Sequence, residues 1–229
     1  ALASLGRIRR ASIRFGKYSS RYDEVLAGKR TNIFDCAMAS GALMDIGIYA
    51  VEPMVALFGT PVDVVSGVVL LNEDTRAITG GAIDGAGTAI ARYPDKMVEL
   101  AWSKITNDDL PVQIESEQAT LELDSISIPT HMTIKRRGKA VRGDAKATRT
   151  DQGGSVEDIN LPRSNNTMEY ELADFVYAVE AVRGGTPCDQ APAGPFGTIG
   201  DLQATTLAAL ALTDEIRRQA GIVFPFDAA

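Results

Sequence analysis

The sequence predicts an α+β domain, in which a large, mostly antiparallel open sheet has helices packed on one face. Strand patterns follow one another in near succession, without the regular alternation of strand and helix that a parallel sheet requires. Helical patterns stand before this run of strands and again after it. A chain of 229 residues with 45% hydrophobic and 23% charged side chains can bury one large core. Residues 1–229 are therefore expected to form a single domain.

The first part of the chain predicts one strand, one excursion and one apolar helix. Residues 8–15 alternate between apolar and polar side chains, and this period of two predicts a strand. The polar stretch 16–35 has no clear period and predicts a long excursion with a short helix near residues 22–27. Residues 41–58 predict an apolar helix, which a glycine, a threonine and a proline then end.

The remaining elements follow from the same patterns. Further strands are expected at residues 62–71, 87–93, 97–105, 112–123 and 132–137. The polar, glycine-rich residues 138–156 predict a mobile loop. Two helices are expected to close the chain, one opened by Asn166 with Glu169 and one by Thr198 with Asp201, both in the pattern of a capping box. Several strands carry apolar side chains on both faces, so a second subunit is expected to cover the open face of the sheet.

Composition argues against several classes of function. The net charge is −7 and the basic residues are scattered, so a nucleic-acid partner is not expected. Cys36, Cys188 and His131 are too few and too far apart for a structural zinc site, and no metal is expected. No nucleophile elbow accompanies His131, which argues against a hydrolytic triad. Neither a membrane span nor a signal peptide is expected, so the predicted location is the cytoplasm.

The segment SGALMDIGIYAVEPMVALFG, residues 40–59, carries an acid and a phenol on an otherwise apolar helix. Asp45 and Tyr49 are four residues apart and should share one helix face. Pro53 should kink the helix, because it cannot donate a hydrogen bond to the Tyr49 carbonyl. Gly41 and Gly47 are expected to let a ligand or another backbone come close. The spacing alone also allows a structural reading, in which backbone amides satisfy a buried Asp45 and Tyr49 lies at the edge of the core.

The wider sequence resembles the Gfo/Idh/MocA family of oxidoreductases, the relatives of glucose–fructose oxidoreductase and inositol dehydrogenase. Its core is GALMDIGIY, and the segments SRYDEVLAGKRTNIFDCAMA, NTMEYELADFVYAVEA and TDEIRRQAGIVFPF are similar to the same family. The likeness runs from the first strand to the last helix. Ser40 is a departure, since many members have glycine there.

The resemblance implies that this chain is the second, α+β domain of a longer protein. Members carry an N-terminal Rossmann domain that binds NAD or NADP, and the resemblance implies that this absent domain supplies the cofactor-binding residues. The chain has no strand–G-x-G-x-x-G–helix unit, because Gly85-Ala86-Gly87 lacks the third glycine. The Glu-Lys-Pro motif that gives the family its lysine is also absent. The open sheet is implied to form a homodimer or homotetramer.

The resemblance further implies that Asp45 and Tyr49 lie beside the nicotinamide. Tyr49 would exchange a proton with the substrate during hydride transfer at a CH–OH group of a sugar, polyol or dihydrodiol, and Asp45 would orient the substrate or a lysine. A phenol needs a nearby cation to act as a base at neutral pH. The Asp45 helix has no Lys or Arg, so the lysine of the absent domain is the expected cation.

Relatives also have pocket residues in the segment before this helix. Asn32, Phe34 and Arg21 are therefore the candidate substrate-binding residues, while Tyr170 is expected to pack. The chain alone is expected to be inactive. A non-catalytic binding or assembly module with the same fold is the alternative.

Overall fold

A mixed sheet of eight strands forms the centre of this computed structural model, which describes residues 2–71, 73–140 and 151–227. Its strands are β1 Ile8–Gly16, β2 Asp63–Leu70, β3 Asp84–Arg92, β4 Met97–Ser103, β5 Val112–Ser116, β6 Ala119–Leu123, β7 His131–Arg136 and β10 Ser155–Asn160. Their order across the sheet is β10-β7-β6-β5-β1-β4-β3-β2. Within the described residues all its neighbouring strands are antiparallel except β1 and β4, which are parallel. The predicted mostly antiparallel sheet is confirmed.

The helices that position the site pack on one face of this sheet. The described helices are α1 Ser20–Leu26, α2 Ile48–Phe58, α3 Glu73–Thr79, α4 Met168–Arg183 and α5 Ile199–Gln219. Helix α2 lies against β1 and β4, and α5 packs against both α2 and β2. Inward side chains such as Ile13, Leu100, Met54 and Ile216 are completely buried between these layers. The predicted capping box of α5 forms, with Thr198 and Asp201 bonding each other's backbone amides.

Three predicted elements differ from the structure. The strand expected at 112–123 is a hairpin of β5 and β6, because the Ser116 hydroxyl accepts hydrogen bonds from the Gln118 and Ala119 amides and turns the chain. Part of the expected loop 138–156 forms the short strands β8 Lys139–Ala140 and β9 Asp151–Gln152 and the start of β10, while residues 141–150 lie outside the described residues. Helix α3 was not predicted. Helix α4 begins after Thr167, without the capping box expected at Asn166.

The sheet face opposite α2 carries exposed apolar side chains near one edge. Val65 and Ile90 are register partners on β2 and β3, and they are 70% and 40% exposed. Their chain neighbours Val64 and Ala91 point inward and are buried. This alternation shows that the outer face is open within the described chain, and a subunit that covers it stays a prediction.

One described helical stretch, Cys36–Phe58, is long and apolar enough to cross a membrane by length and composition, with a mean hydropathy of 1.5. The sequence interpretation had expected no such stretch. Half of its most apolar window is buried inside the domain, where α2 packs between the sheet and α5. Core helices of soluble proteins pass the same test, so the finding is weak support for a membrane span.

Candidate active site

Asp45 and Tyr49 line one open cleft with a volume of about 1010 Å³. Tyr49 is 48% exposed, and its ring lies 5.2 Å from that of Phe15, between ring centroids. The Asp45 side chain is 38% exposed. The rest of the wall mixes hydroxyl groups, charged groups and apolar surface, and includes Lys17, Ser125, Ser127, Ile128, Pro129, Arg163, Met168, Tyr170 and Glu171. The two side chains share a face, as the spacing predicted, and neither is sealed in the core.

Asp45 lies in a single π-helical turn, Leu43–Gly47, which leads directly into α2. Single π-turns inside helices are rare and occur frequently at functional sites. The sequence instead predicted one continuous helix with an irregularity at Pro53. Pro53 lies inside α2, which continues to Phe58, so the irregular turn lies earlier in the segment. It places Asp45 within the turn and Tyr49 in the first turn of α2.

A buried carboxylate fixes the start of this turn. Asp84, the first residue of β3, is 2% exposed. Its Oδ2 atom accepts hydrogen bonds from the Leu43 amide and from Nε1 of Trp102, both at 2.8 Å. Burial raises the pKa of Asp84 to about 6, and these hydrogen bonds act against the rise. The π-turn is thereby tied to two strands of the sheet.

Trp102 occupies the space that two glycines leave. A Cβ atom on Gly87 would lie 2.2 Å from Cζ2 of Trp102, and one on Gly47 would lie 3.3 Å from its Cγ. Gly41 has a φ of +150°, and a Cβ there would lie 2.6 Å from Oδ1 of Asp84. Gly41 and Gly47 were expected to let a ligand or another backbone approach. Side chains of the same chain fill these spaces instead.

The raised pKa of Asp84 predicts a pH-dependent stability. The folded pKa of about 6 exceeds the ordinary value of 3.8, so the folded protein binds more protons than the unfolded chain between these pH values. The free energy of unfolding should therefore fall as pH rises through this window. Relative to Asp84→Asn, which cannot ionise, the wild type should lose on the order of 2–3 kcal/mol between pH 4 and pH 7. Urea unfolding of both proteins across this range measures the difference, and a constant difference would contradict the prediction.

The chain provides a cation that the sequence interpretation did not find. Lys104 directly follows β4, and its Nζ atom forms an ion pair with Oδ2 of Asp45. The Lys104 side chain is 7% exposed. Burial lowers the pKa of Lys104 to about 8, and the positive charges of Arg21 and Lys17 act in the same direction. The sequence interpretation looked for Lys or Arg on the Asp45 helix alone and so missed Lys104, and the lysine of another domain stays a prediction.

The candidate substrate-binding residues lie apart from the cleft. The Phe34 ring is completely buried, 6.0 Å from Nζ of Lys104, so it packs beside the lysine and offers no surface to a substrate. Arg21 on α1 is exposed and acts on Lys104 through its charge. Asn32 is exposed in the 3₁₀ turn Asn32–Phe34. None of the three lines the cleft of Asp45 and Tyr49 in the structure, and substrate contacts of Arg21 and Asn32 stay predictions.

Tyr170 was expected to pack but is 51% exposed and lines the cleft at the start of α4. Its hydroxyl accepts a hydrogen bond of 2.8 Å from the Ser164 amide, which fixes the ring beside the entry to the helix. Within the described residues, no group of three or more His, Cys, Asp or Glu side chains could hold a metal ion. The cleft wall offers a phenol, an ion-paired carboxylate, several hydroxyl groups and the charged side chains of Lys17, Arg163 and Glu171.

Comparison with known proteins places these residues in a family. Residues 3–122 match the family described as the GFO/IDH/MocA C-terminal domain. The chain is 30% identical to scyllo-inositol 2-dehydrogenase (NADP(+)) IolU of Bacillus subtilis over 228 residues, which is all of this chain and 59% of that protein. It is 29% identical to the oxidoreductase YgjR of Escherichia coli over 227 residues, 99% of this chain and 58% of that protein. The chain thus spans about three-fifths of each relative.

Solved structures share the fold at lower identity. The 3-ketoreductase KijD10 of Actinomadura kijaniata, solved with NADP and TDP-benzene, has a TM-score of 0.65 at 17% identity, over 94% of this chain and 55% of that one. UDP-N-acetylglucosamine 3-dehydrogenase GnnA of Acidithiobacillus ferrooxidans has a TM-score of 0.59 at 17% identity, over 95% of this chain and 57% of that one. At this identity the likeness shows the fold alone. The family match over residues 3–122, with which the IolU alignment agrees, shows that the chain belongs to the GFO/IDH/MocA family of oxidoreductases and contains its C-terminal domain.

Proposed function

We propose that this chain is the substrate-binding and oligomerisation domain of an NAD(P)-dependent oxidoreductase. The reaction is hydride transfer at a CH–OH group of a sugar, polyol or dihydrodiol. The observation that carries the proposal is the half-exposed phenol of Tyr49 in the same cleft as the ion-paired carboxylate of Asp45. The names of IolU and of the KijD10 structure, which mention NADP, support the choice of cofactor.

Tyr49 exchanges the proton in this mechanism. In oxidation the substrate carbon loses a hydride and its hydroxyl passes a proton to the phenolate oxygen of Tyr49, which leaves a carbonyl group on the substrate; in reduction the Tyr49 hydroxyl gives the proton to the carbonyl oxygen. The chemistry that bound NAD(P) would supply is that of a hydride acceptor or donor. Asp45 accepts a hydrogen bond from a substrate hydroxyl and so orients the reacting carbon. The ring of Phe15 supports the Tyr49 ring from the end of β1.

The cleft wall suits a polyhydroxylated substrate. Ser125, Ser127 and Tyr170 offer hydroxyl groups, while Ile128 and Met168 offer apolar surface to the C–H faces of a sugar ring. Binding sites of this kind combine mostly apolar walls with a few placed polar groups. We propose no cofactor-binding residue within this chain, because it carries no dinucleotide fingerprint. A nucleotide-binding domain of the full-length protein would face the open side of the cleft.

The outer sheet face is proposed to join subunits into a homodimer or homotetramer. Its exposed Val65 and Ile90 give the face an apolar patch near one edge that water would otherwise cover. Light scattering of the full-length protein should report a dimer or tetramer. A strictly monomeric protein at micromolar concentration would remove this part of the proposal.

A substrate screen tests the proposed reaction. The full-length protein is incubated with polyols, aldoses and trans-dihydrodiols together with NAD⁺ or NADP⁺, and formation of the reduced cofactor is followed. Turnover is expected with at least one CH–OH substrate, and residues 1–229 alone should give none and should not bind NADPH in a calorimetric titration. Absence of turnover across the screen, with no cofactor binding by the full-length protein, would favour the non-catalytic module instead.

A further inference from the structure

Lys104 is held in place by the backbone around it. Its amide donates to the Gly85 carbonyl at 2.9 Å, and its carbonyl accepts from the Ser19 amide at 2.9 Å. The preceding residue, Ser103, accepts hydrogen bonds from the Ile105 and Thr106 amides and so fixes the turn that ends β4. These hydrogen bonds fix the backbone of Lys104 beneath the cleft, and the Phe34 ring lies beside its ammonium group.

The two oxygens of Asp45 have different surroundings. Oδ2 is paired with Nζ of Lys104, which reaches it from the protein interior. Oδ1 accepts no hydrogen bond from the described part of the chain, although the side chain is 38% exposed and lines the cleft. Lys104 thus fixes Oδ2 from the protein interior, and Oδ1 can accept a hydrogen bond from a ligand in the cleft.

An ion pair of this kind is a poor device for stability alone. Removing a lysine from water carries a desolvation cost that can equal or exceed the attraction to its partner. The like charges of Lys17 and Arg21 add to the cost of burying the charged Lys104. Asp45 is the carboxylate that pairs with it. The buried Lys104 is therefore better explained by its effect on the position of Asp45 than by a contribution to stability.

We propose that Lys104 is a positioning residue of the reaction: it holds the Asp45 carboxylate in the cleft, so that the free carboxylate oxygen receives a substrate hydroxyl. This inference rests on the proposed function. A lysine of this chain, rooted at the end of β4, thereby prepares the cleft before any second domain contributes.

Two variants of the full-length protein test the proposal structurally. In a crystal structure of Lys104→Met, a nearly isosteric and uncharged replacement, the Asp45 carboxylate is expected to turn out of the position that it has in the wild type. Lys104→Arg should keep it there. An unmoved Asp45 in Lys104→Met would overturn the positioning role, whatever reaction the protein catalyses.

Kinetics give the second readout, with scyllo-inositol and NADP⁺ as the probe pair. Lys104→Met should lower kcat/KM about 10- to 100-fold at pH 7 and raise KM, because the carboxylate oxygen that receives the substrate hydroxyl is no longer held in the cleft. Lys104→Arg should restore most of the lost kcat/KM. Lys96→Met is the matched control, because Lys96 also pairs with a carboxylate, Asp95, and lies 5.1 Å from an aromatic ring.

The outcomes separate this inference from the proposed reaction. A loss of kcat with KM unchanged, or an equal effect of Lys96→Met, would mean that Lys104 only supports the fold and would overturn the proposal. If wild-type protein and Tyr49→Phe turn over equally, the assigned proton acceptor is wrong, yet the position of Asp45 in the Lys104→Met crystal still decides the role of Lys104.

Discussion

Replacing Tyr49 by phenylalanine in the full-length protein is expected to lower kcat by about 10²- to 10⁴-fold, which is the usual contribution of a positioned acid or base. The variant loses only the hydroxyl group. Its ring can keep the contact with Phe15, and because Tyr49 is 48% exposed, the fold should be unaffected. Steady-state rates in both directions, together with the dissociation constant of NADPH, measure the effect.

The expected pattern is a loss of turnover with cofactor binding retained. Tyr177→Phe is the matched control, since Tyr177 is 62% exposed on α4 and does not line the cleft. It should turn over like the wild type. A Tyr49→Phe protein with unchanged kcat would remove Tyr49 from the mechanism and leave the proton acceptor unassigned.

Replacing Gly87 by alanine is expected to destabilise the domain by about 3 kcal/mol, within the range found for overpacked cores. The added methyl group would lie 2.2 Å from Trp102, whose side chain is 2% exposed and cannot move without disturbing the core. Displacement of Trp102 should also break its hydrogen bond to Asp84 and loosen the π-turn, so turnover of the full-length protein should fall as well. Denaturant unfolding and steady-state kinetics measure the two effects.

Gly67→Ala is the matched control for this substitution. Gly67 lies on the neighbouring strand β2, and a Cβ atom there would meet nothing within 4 Å. Its effect on the free energy of unfolding should be no more than about 0.5 kcal/mol. Equal destabilisation by the two substitutions would mean that loss of glycine from a strand, and not the contact with Trp102, is responsible.

Local patterns in the sequence predicted the parts of the structure that depend on local geometry. The alternation of residues 8–15 predicted β1, and Thr198 with Asp201 predicted the start of α5. The shared face of Asp45 and Tyr49 was predictable because four residues along a helix bring two side chains to the same side. That both line one open cleft agrees with this prediction, although their chemical roles remain proposals.

The contacts that complete the site depend on the register of the sheet, which no local pattern specifies. Lys104 and Asp45 are 59 residues apart and meet because β4 ends beneath the π-turn. A signal was nevertheless present: Val98, Leu100 and Trp102 are the buried apolar positions of β4, at every second residue, and Lys104 is the next in that series. A lysine that continues a buried alternation indicates a paired cation. Phe34 gave no such signal, because its burial depends on packing between distant segments.

Trp102 has a practical consequence, because it is the only tryptophan in these 229 residues. Its indole is buried, donates to a carboxylate and lies against the glycine of the π-turn. The tryptophan emission of this domain, excited selectively at wavelengths that tyrosine does not absorb, therefore originates from one position directly behind the cleft. Its wavelength and quantum yield should report whether the turn that carries Asp45 is seated on the sheet, without any added dye or label.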